Sequence, residues 1–183
     1  MAKFHPSLDL LTEHAAGTLP LAQTACLSAH LNYCEQCRRS VASLQNVGGA
    51  LFGNLSSEPV SENVLDFVLA RLDESAPLSY SASEAASTGR TPAILQRLMK
   101  GDFSDLSWKK ITDSLRISYL KTGDPNFEFA LYHIKAGGRI PEHKHGGSEM
   151  TLVLQGGFSD SAGSYHEGDF IYREADELHA PTA

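Results

Sequence analysis

The stretch His30-Leu-Asn-Tyr-Cys34-Glu-Gln-Cys37 limits what the N-terminal half of this chain can fold into. Two thiols three residues apart share one face of a helical turn, close enough to hold a single ion. A histidine four residues before the first thiol can join them from the end of a preceding helix. A structural zinc site takes four ligands, so one more is needed. His5, near the N-terminus, is the leading candidate, His14 is its rival and Cys26 a weaker one; Cys26 reads better as a small buried hydrophobe. The set His5, His30, Cys34 and Cys37 therefore predicts a structural zinc that ties the first residues to the middle of a small helical domain. A unit of about 75 residues buries a limited core and gains from such a staple.

The surrounding pattern is helical. Residues 7–16 place Leu8, Leu11 and Ala15 on one face, and Gly17 stops the helix. Pro20 sits in the first turn of a second helix, where its missing N–H is harmless, and that helix ends near residues 30–32. A third begins close to Cys34 and runs through Val41 and Leu44 towards Gly48-Gly49. A fourth spans 61–74. Its apolar residues cover a wider face than a short terminal helix needs against its own domain. Val64, Leu65, Val68, Leu69 and Leu72 are accordingly expected to contact a partner, in the manner of an amphipathic helix laid in a groove; the plainer reading is that they cover their own domain's core.

Residues 75–91 are small, polar and poor in large apolar side chains, the composition of a flexible linker. A short helix at 92–99 follows. From Phe103 onward, segments 108–112, 115–120, 127–135, 150–154 and 170–173 read as strands separated by Gly, Pro and Asp turns. The fold class is multi-domain α plus β: a zinc-stapled helical bundle at 1–74, a linker at 75–91 and a β-sandwich or barrel at 92–183.

Bulk properties narrow the function classes. The 183 residues are 42% hydrophobic with a formal net charge of -7, enough for packed cores and wrong for a general nucleic-acid binder. Each half is net acidic. The chain has only 3 cysteines, two of them in C-x2-C, which suits metal binding in a reducing cytoplasm better than a disulfide framework. No apolar run approaches membrane-spanning length, and the N-terminus lacks a signal-peptide core.

The β half carries a second constellation: Gly137-x5-His143-x-His145-x3-Glu149-x6-Gly156, then Gly168-x10-His179. On a strand, His143 and His145 would point to one side. Glu149 would start the next strand, and His179 would approach from another. Three imidazoles and a carboxylate suit zinc or another divalent transition metal. This spacing resembles the two motifs of the cupin superfamily. Glu174 and Asp176 stand where that pattern usually has Pro and Gly, and Ala183 where it usually has Asn. A cupin normally continues into at least one more strand, so the barrel is expected to be cut short at Ala183.

The complete order of His5, His30-x3-Cys34-x2-Cys37, apolar helix, linker and cupin motifs resembles the ChrR family of zinc-binding anti-sigma factors along nearly the whole chain. The resemblance implies a cytoplasmic regulator, not an enzyme. Its helical domain would clamp an extracytoplasmic-function sigma factor, one-to-one, and keep it from RNA polymerase, with no direct contact to DNA or membrane. It also implies that the cupin domain is needed for release under singlet oxygen or organic hydroperoxide stress. The competing expectation is a metal-dependent, dioxygenase-like cupin enzyme carrying a helical zinc domain. No second catalytic acid or base stands out near its motif; Glu142, Lys144 and Tyr165 are candidates and no more.

Overall fold

The computed structural model describes residues 2–74 and 91–183. The expected linker lies outside the described residues except for Thr91, which is buried just ahead of the fifth helix.

Four helices come first. In α1 (Leu8–Ala16) the Ser7 hydroxyl accepts the Leu10 amide at 3.2 Å, and Gly17 closes the helix in left-handed backbone. α2 (Leu21–Leu31) starts directly after Pro20. α3 (Glu35–Gly53) opens on Cys34, whose sulfur takes the N-cap role by accepting the Cys37 amide. Leu11, Leu27, Cys34, Cys37 and Val41 form the core these three helices share. α3 does not stop at Gly48-Gly49 as expected. Neither glycine adopts positive φ, so each costs only about 1 kcal/mol relative to Ala. Beyond Leu44 the helix leaves the core, and Val47, Leu51 and Phe52 stand exposed.

α4 (Val64–Glu74) is the fourth helix. Its large apolar side chains remain uncovered, from 40% exposed at Val64 to 65% at Leu65 and Leu72. The plainer reading of this face, as a cover for its own domain, does not hold.

The second half opens with α5 (Ala93–Met99) and a 3₁₀ turn at Phe103–Asp105. Seven strands follow: β1 (Lys109–Lys110), β2 (Leu115–Tyr119), β3 (Ala130–Ile134), β4 (Glu149–Leu152), β5 (Gly157–Asp160), β6 (Gly163–His166) and β7 (Phe170–Arg173). Antiparallel pairing gives the sheet β1-β2-β3, the pair β4-β7 and the hairpin β5-β6. Single bridges at Arg139–Thr182, His143–His179 and Ser159–Thr182 draw these pieces together. Thr182 bridges two segments, at Arg139 and Ser159, and the Ala183 amide donates to the Gly138 carbonyl at 2.9 Å. The β5-β6 hairpin was not anticipated, because each strand carries one large apolar residue, Phe158 or Tyr165, too few to show alternation.

The two halves are docked on each other. α2 is the shared element. Leu27 faces the helical core, while Ala29 packs with Leu95, Met99 and Leu131 of the second half. A helix flanked on two sides must be apolar on both, and Ala22, Ala25, Cys26, Leu27 and Ala29 are all buried. The Tyr33 hydroxyl donates to the Leu154 carbonyl at 3.2 Å. The N-terminal segment crosses over as well: the Phe4 ring lies 4.9 Å from that of Tyr165, and the Phe170 amide donates to the Phe4 carbonyl.

Candidate metal centres

The first centre forms at the N-terminal end of α3. His5 Nδ1 lies 3.3 Å from Cys34 Sγ and 3.6 Å from Cys37 Sγ, and His30 Nε2 lies 3.4 Å from Cys37 Sγ. One donor atom from each of the four side chains falls within 4.8 Å of every other. Ligands around a tetrahedral zinc, with Zn–N of about 2.1 Å and Zn–S of about 2.3 Å, stand roughly 3.5 Å apart. The group fits a metal ion on that measure. His5 is the fourth member of the group; His14, the rival, lies outside it.

The local sequence explains the geometry. α2 ends at a fully buried His30, the chain turns through residues 32–33, and Cys34 caps α3 so that Cys37 falls one helical turn on. Both sulfurs therefore lie at the positive end of the α3 dipole. Burial and the neighbouring Cys34 push the Cys37 thiol up to about 12. Such a thiol ionises at neutral pH only with a cation beside it. The Cys26 thiol is buried and also pushed up to about 12 by that burial, in keeping with a packing role. Burial lowers the pKa of His30, keeping the imidazole neutral. Its Nδ1 lies 2.8 Å from the Gly168 carbonyl. With Nδ1–H donating there, Nε2 keeps its lone pair for the cluster.

The second centre lies in the β half. His143, His145 and His179 present nitrogens within 4.8 Å of one another. His143 and His145 are not on a regular strand, as expected. They sit in an extended loop held by backbone bonds of 3.0 Å in both directions between His143 and His179. Asp176 steadies the loop further, its amide donating to the His145 carbonyl at 2.9 Å and its carboxylate pairing with Lys144. Asp176 replaces the usual glycine yet keeps left-handed backbone, φ 64, a conformation Asp tolerates better than most residues.

Glu149, the first residue of β4, brackets the group. Its two oxygens lie 3.7 Å from His145 Nε2 and 3.6 Å from His179 Nδ1. Those same two nitrogens are buried and lack any hydrogen-bond partner. Two buried imidazole nitrogens without hydrogen-bond partners, facing a carboxylate, can receive a cation between them, although Glu149 itself stands outside the group of mutually close donor atoms. Burial lowers the pKa of His179, an effect the Glu149 carboxylate opposes, so the imidazole stays in its ligating form. A cavity of about 570 Å³ opens beside His179, lined by Arg139, Glu142, Asp160 and Thr182 among others.

Three supporting groups were not legible beforehand. Arg173, only 7% exposed at its side chain, is paired with the buried Asp160 and with Glu177. That network ties β5 to β7 and to the turn that delivers His179. Asp169 and the Gly168 carbonyl reach the other way, to the helical half. Among the described residues, no helix is long and apolar enough to cross a membrane.

Comparison with known proteins agrees with this architecture. The family model of the ChrR cupin-like domain matches residues 96–183. The chain is 33% identical over 181 residues to the anti-sigma-E factor ChrR of Cereibacter sphaeroides, covering 99% of this chain and 84% of that protein. It also superposes on a chain of the crystal structure of Rhodobacter sphaeroides SigE in complex with the anti-sigma ChrR, with a TM-score of 0.86 and 32% identity. That match covers 100% of this chain and 93% of the other.

Proposed function

Because the chain belongs to the ChrR family of anti-sigma factors, we propose that it holds an extracytoplasmic-function sigma factor away from RNA polymerase in the cytoplasm, in a one-to-one complex. The observation that carries this reading is the uncovered apolar face of α4 and the distal part of α3. Val64, Leu65, Val68, Leu69 and Leu72, with Val47, Leu51 and Phe52, leave two exposed stripes that none of the described residues covers. Exposed apolar stripes along helices of this kind mark a protein interface. The net charge of -7 argues against DNA as its occupant. Co-expression with such a sigma factor tests the proposal: a stoichiometric complex lacking transcription activity is expected, and free sigma factor beside free chain would refute it.

In this reading, His5, His30, Cys34 and Cys37 hold a structural zinc, which when bound supplies folding free energy and fixes the thiols as thiolates. It keeps the ends of α2 and α3 together, and so sets the direction in which α3 runs out to the partner. His143, His145, Glu149 and His179 hold zinc or another divalent metal at the responsive end. The polar cavity beside His179 gives a small oxidant a route to these side chains. Singlet oxygen or an organic hydroperoxide acting there would lower the affinity of the helical half for the sigma factor, which requires two states with different grip. The dioxygenase alternative finds no support in the family, whose named member is a regulator.

A further inference from the structure

Asp169 and Gly168 form a short segment of the cupin half that touches both histidines' supports in the N-terminal centre. Asp169 is 1% exposed. Its Oδ1 accepts the amides of Lys3 at 2.5 Å and Phe4 at 3.1 Å, immediately ahead of His5. Its Oδ2 accepts the His166 amide at 2.8 Å, which fixes the carboxylate on its own turn. The next residue, Phe170, donates its amide to the Phe4 carbonyl at 3.0 Å and lays its ring 5.7 Å from that of His30. The preceding residue, Gly168, offers its carbonyl to His30 Nδ1 at 2.8 Å. Gly168 has φ +90, and a Cβ there would come 2.7 Å from Tyr33 Cβ, so the approach admits no side chain.

We infer that the cupin half supplies the outer coordination shell of the N-terminal metal centre, with Asp169 as the positioning residue for His5 and the Gly168 carbonyl as the positioning group for His30. The inference rests on the reading of His5, His30, Cys34 and Cys37 as metal ligands. Its consequence is thermodynamic. On the helical side the tail bearing His5 is held by Ala2, which packs against the Leu11–Leu27–Val41 core, and by the first turn of α1; its backbone amides at Lys3 and Phe4 are taken by Asp169. Docked on Asp169, the tail presents His5 ready for the ion, and the ordering of residues 3–5 is already complete. The carbonyl of Gly168 meanwhile selects the one tautomer of His30 that leaves Nε2 free. Metal retention and domain docking therefore favour each other, and linkage makes the coupling reciprocal. A perturbation that lifts the β6-β7 turn off the helical half loosens two of four ligands at once. No bond to sulfur has to be attacked directly.

Cobalt(II) in place of zinc reports on this centre alone, because only its ligand set contains sulfur and gives a thiolate-to-cobalt charge-transfer band. The 183-residue chain loaded with cobalt is challenged with excess EDTA, and decay of that band is timed. Outer-shell substitutions typically weaken metal binding 10–100-fold. Asp169→Ala is expected to lose the band at least about tenfold faster than wild type, with Asp169→Asn between the two because one amide oxygen still accepts. Phe4→Ala, which strips the tail's ring contact with Tyr165 and leaves the buried carboxylate in place, is expected to lose it faster as well, and decides the matter if Asp169→Ala does not fold. Unchanged decay in the folded variants overturns the inference. A wild-type chain with no thiolate band overturns the metal reading on which it rests, a separate and distinguishable result.

Discussion

The two candidate metal centres differ in enclosure. The N-terminal one has three buried members of four, sits on a helix N-terminus and is backed by the core of the helical half. The cupin one has only His179 buried; His143, His145 and Glu149 are partly exposed, and a polar cavity stands beside it. Thiolates in a closed cage hold a structure together, whereas imidazoles at an open mouth can exchange a ligand or meet a small molecule. On the proposed reading the staple belongs to the helical half, at the start of the helix whose far end meets the partner, and the reachable chemistry belongs to the cupin half. The β4-β7 ladder spans the interval. At one end Glu149 pairs with Arg173, and at the other Leu152 pairs with Phe170, which faces His30.

The largest effect that could break this contrast is loss of the staple. The double substitution Cys34→Ser, Cys37→Ser is expected to remove the N-terminal metal and with it folding free energy on the order of 10 kcal/mol. Metal analysis should show one ion fewer per chain, and sigma-factor capture should disappear. Retained capture would mean that the cage is dispensable. His145→Ala at the other centre should also cost an ion, yet leave capture intact; if it abolished capture, the division of roles would fail.

Next in size is the ion-pair network behind the cupin centre. Arg173→Leu strands the buried Asp160 carboxylate, and breaking such a pair costs about 3–5 kcal/mol. Chemical denaturation followed in the β half should show that loss. A change below about 1 kcal/mol would show that the network does not hold the turn before His179.

The partner face should respond in binding alone. Leu65→Asp and Leu69→Asp place charges on side chains already at least half exposed, so the free chain should melt as wild type does. Affinity for the sigma factor should fall at least about thirtyfold, the scale of a hot-spot loss of about 2 kcal/mol. Wild-type affinity would remove α4 from the interface.

The smallest effect is a pH dependence of docking. Burial alone would raise the pKa of Asp169, but the amides of His166, Lys3 and Phe4 outweigh it and hold the carboxyl below its usual value. A depressed folded pKa contributes stability above the ordinary carboxylate range, and that contribution fades as pH falls below it. Amide hydrogen exchange at Lys3 and Phe4 should therefore be protected at neutral pH and lose protection in acid before the helical core does. Protection that persists while the core opens would contradict this.

Sequence patterning reached much of this architecture because its signals were local. Caps and stops at Ser7, Gly17 and Pro20, the C-x2-C turn and the fixed spacing from His143 to Glu149 each act within a few residues. What escaped depended on distance in sequence. The bond from His30 to the Gly168 carbonyl and the reach of Asp169 to Lys3 join the two ends of the chain. A backbone acceptor leaves no residue type to read, and a single buried Asp looks like any surface acid. The double-sided burial of α2 was visible in its apolar run, yet one short helix of small residues fits a bundle core equally well. α3 passed through Gly48-Gly49 because glycine weakens a helix without forbidding it.

The central claim is a grip by the helical half governed from the cupin half. Its most direct test is to form the complex of the 183-residue chain with its extracytoplasmic-function sigma factor, expose it to singlet oxygen or an organic hydroperoxide, and measure the bound fraction by size-exclusion chromatography beside the same complex made with His179→Ala. A one-to-one complex is expected in both cases, dissociating on exposure only when His179 is present. Release from the variant as readily as from wild type, or no complex with wild type at all, would contradict it.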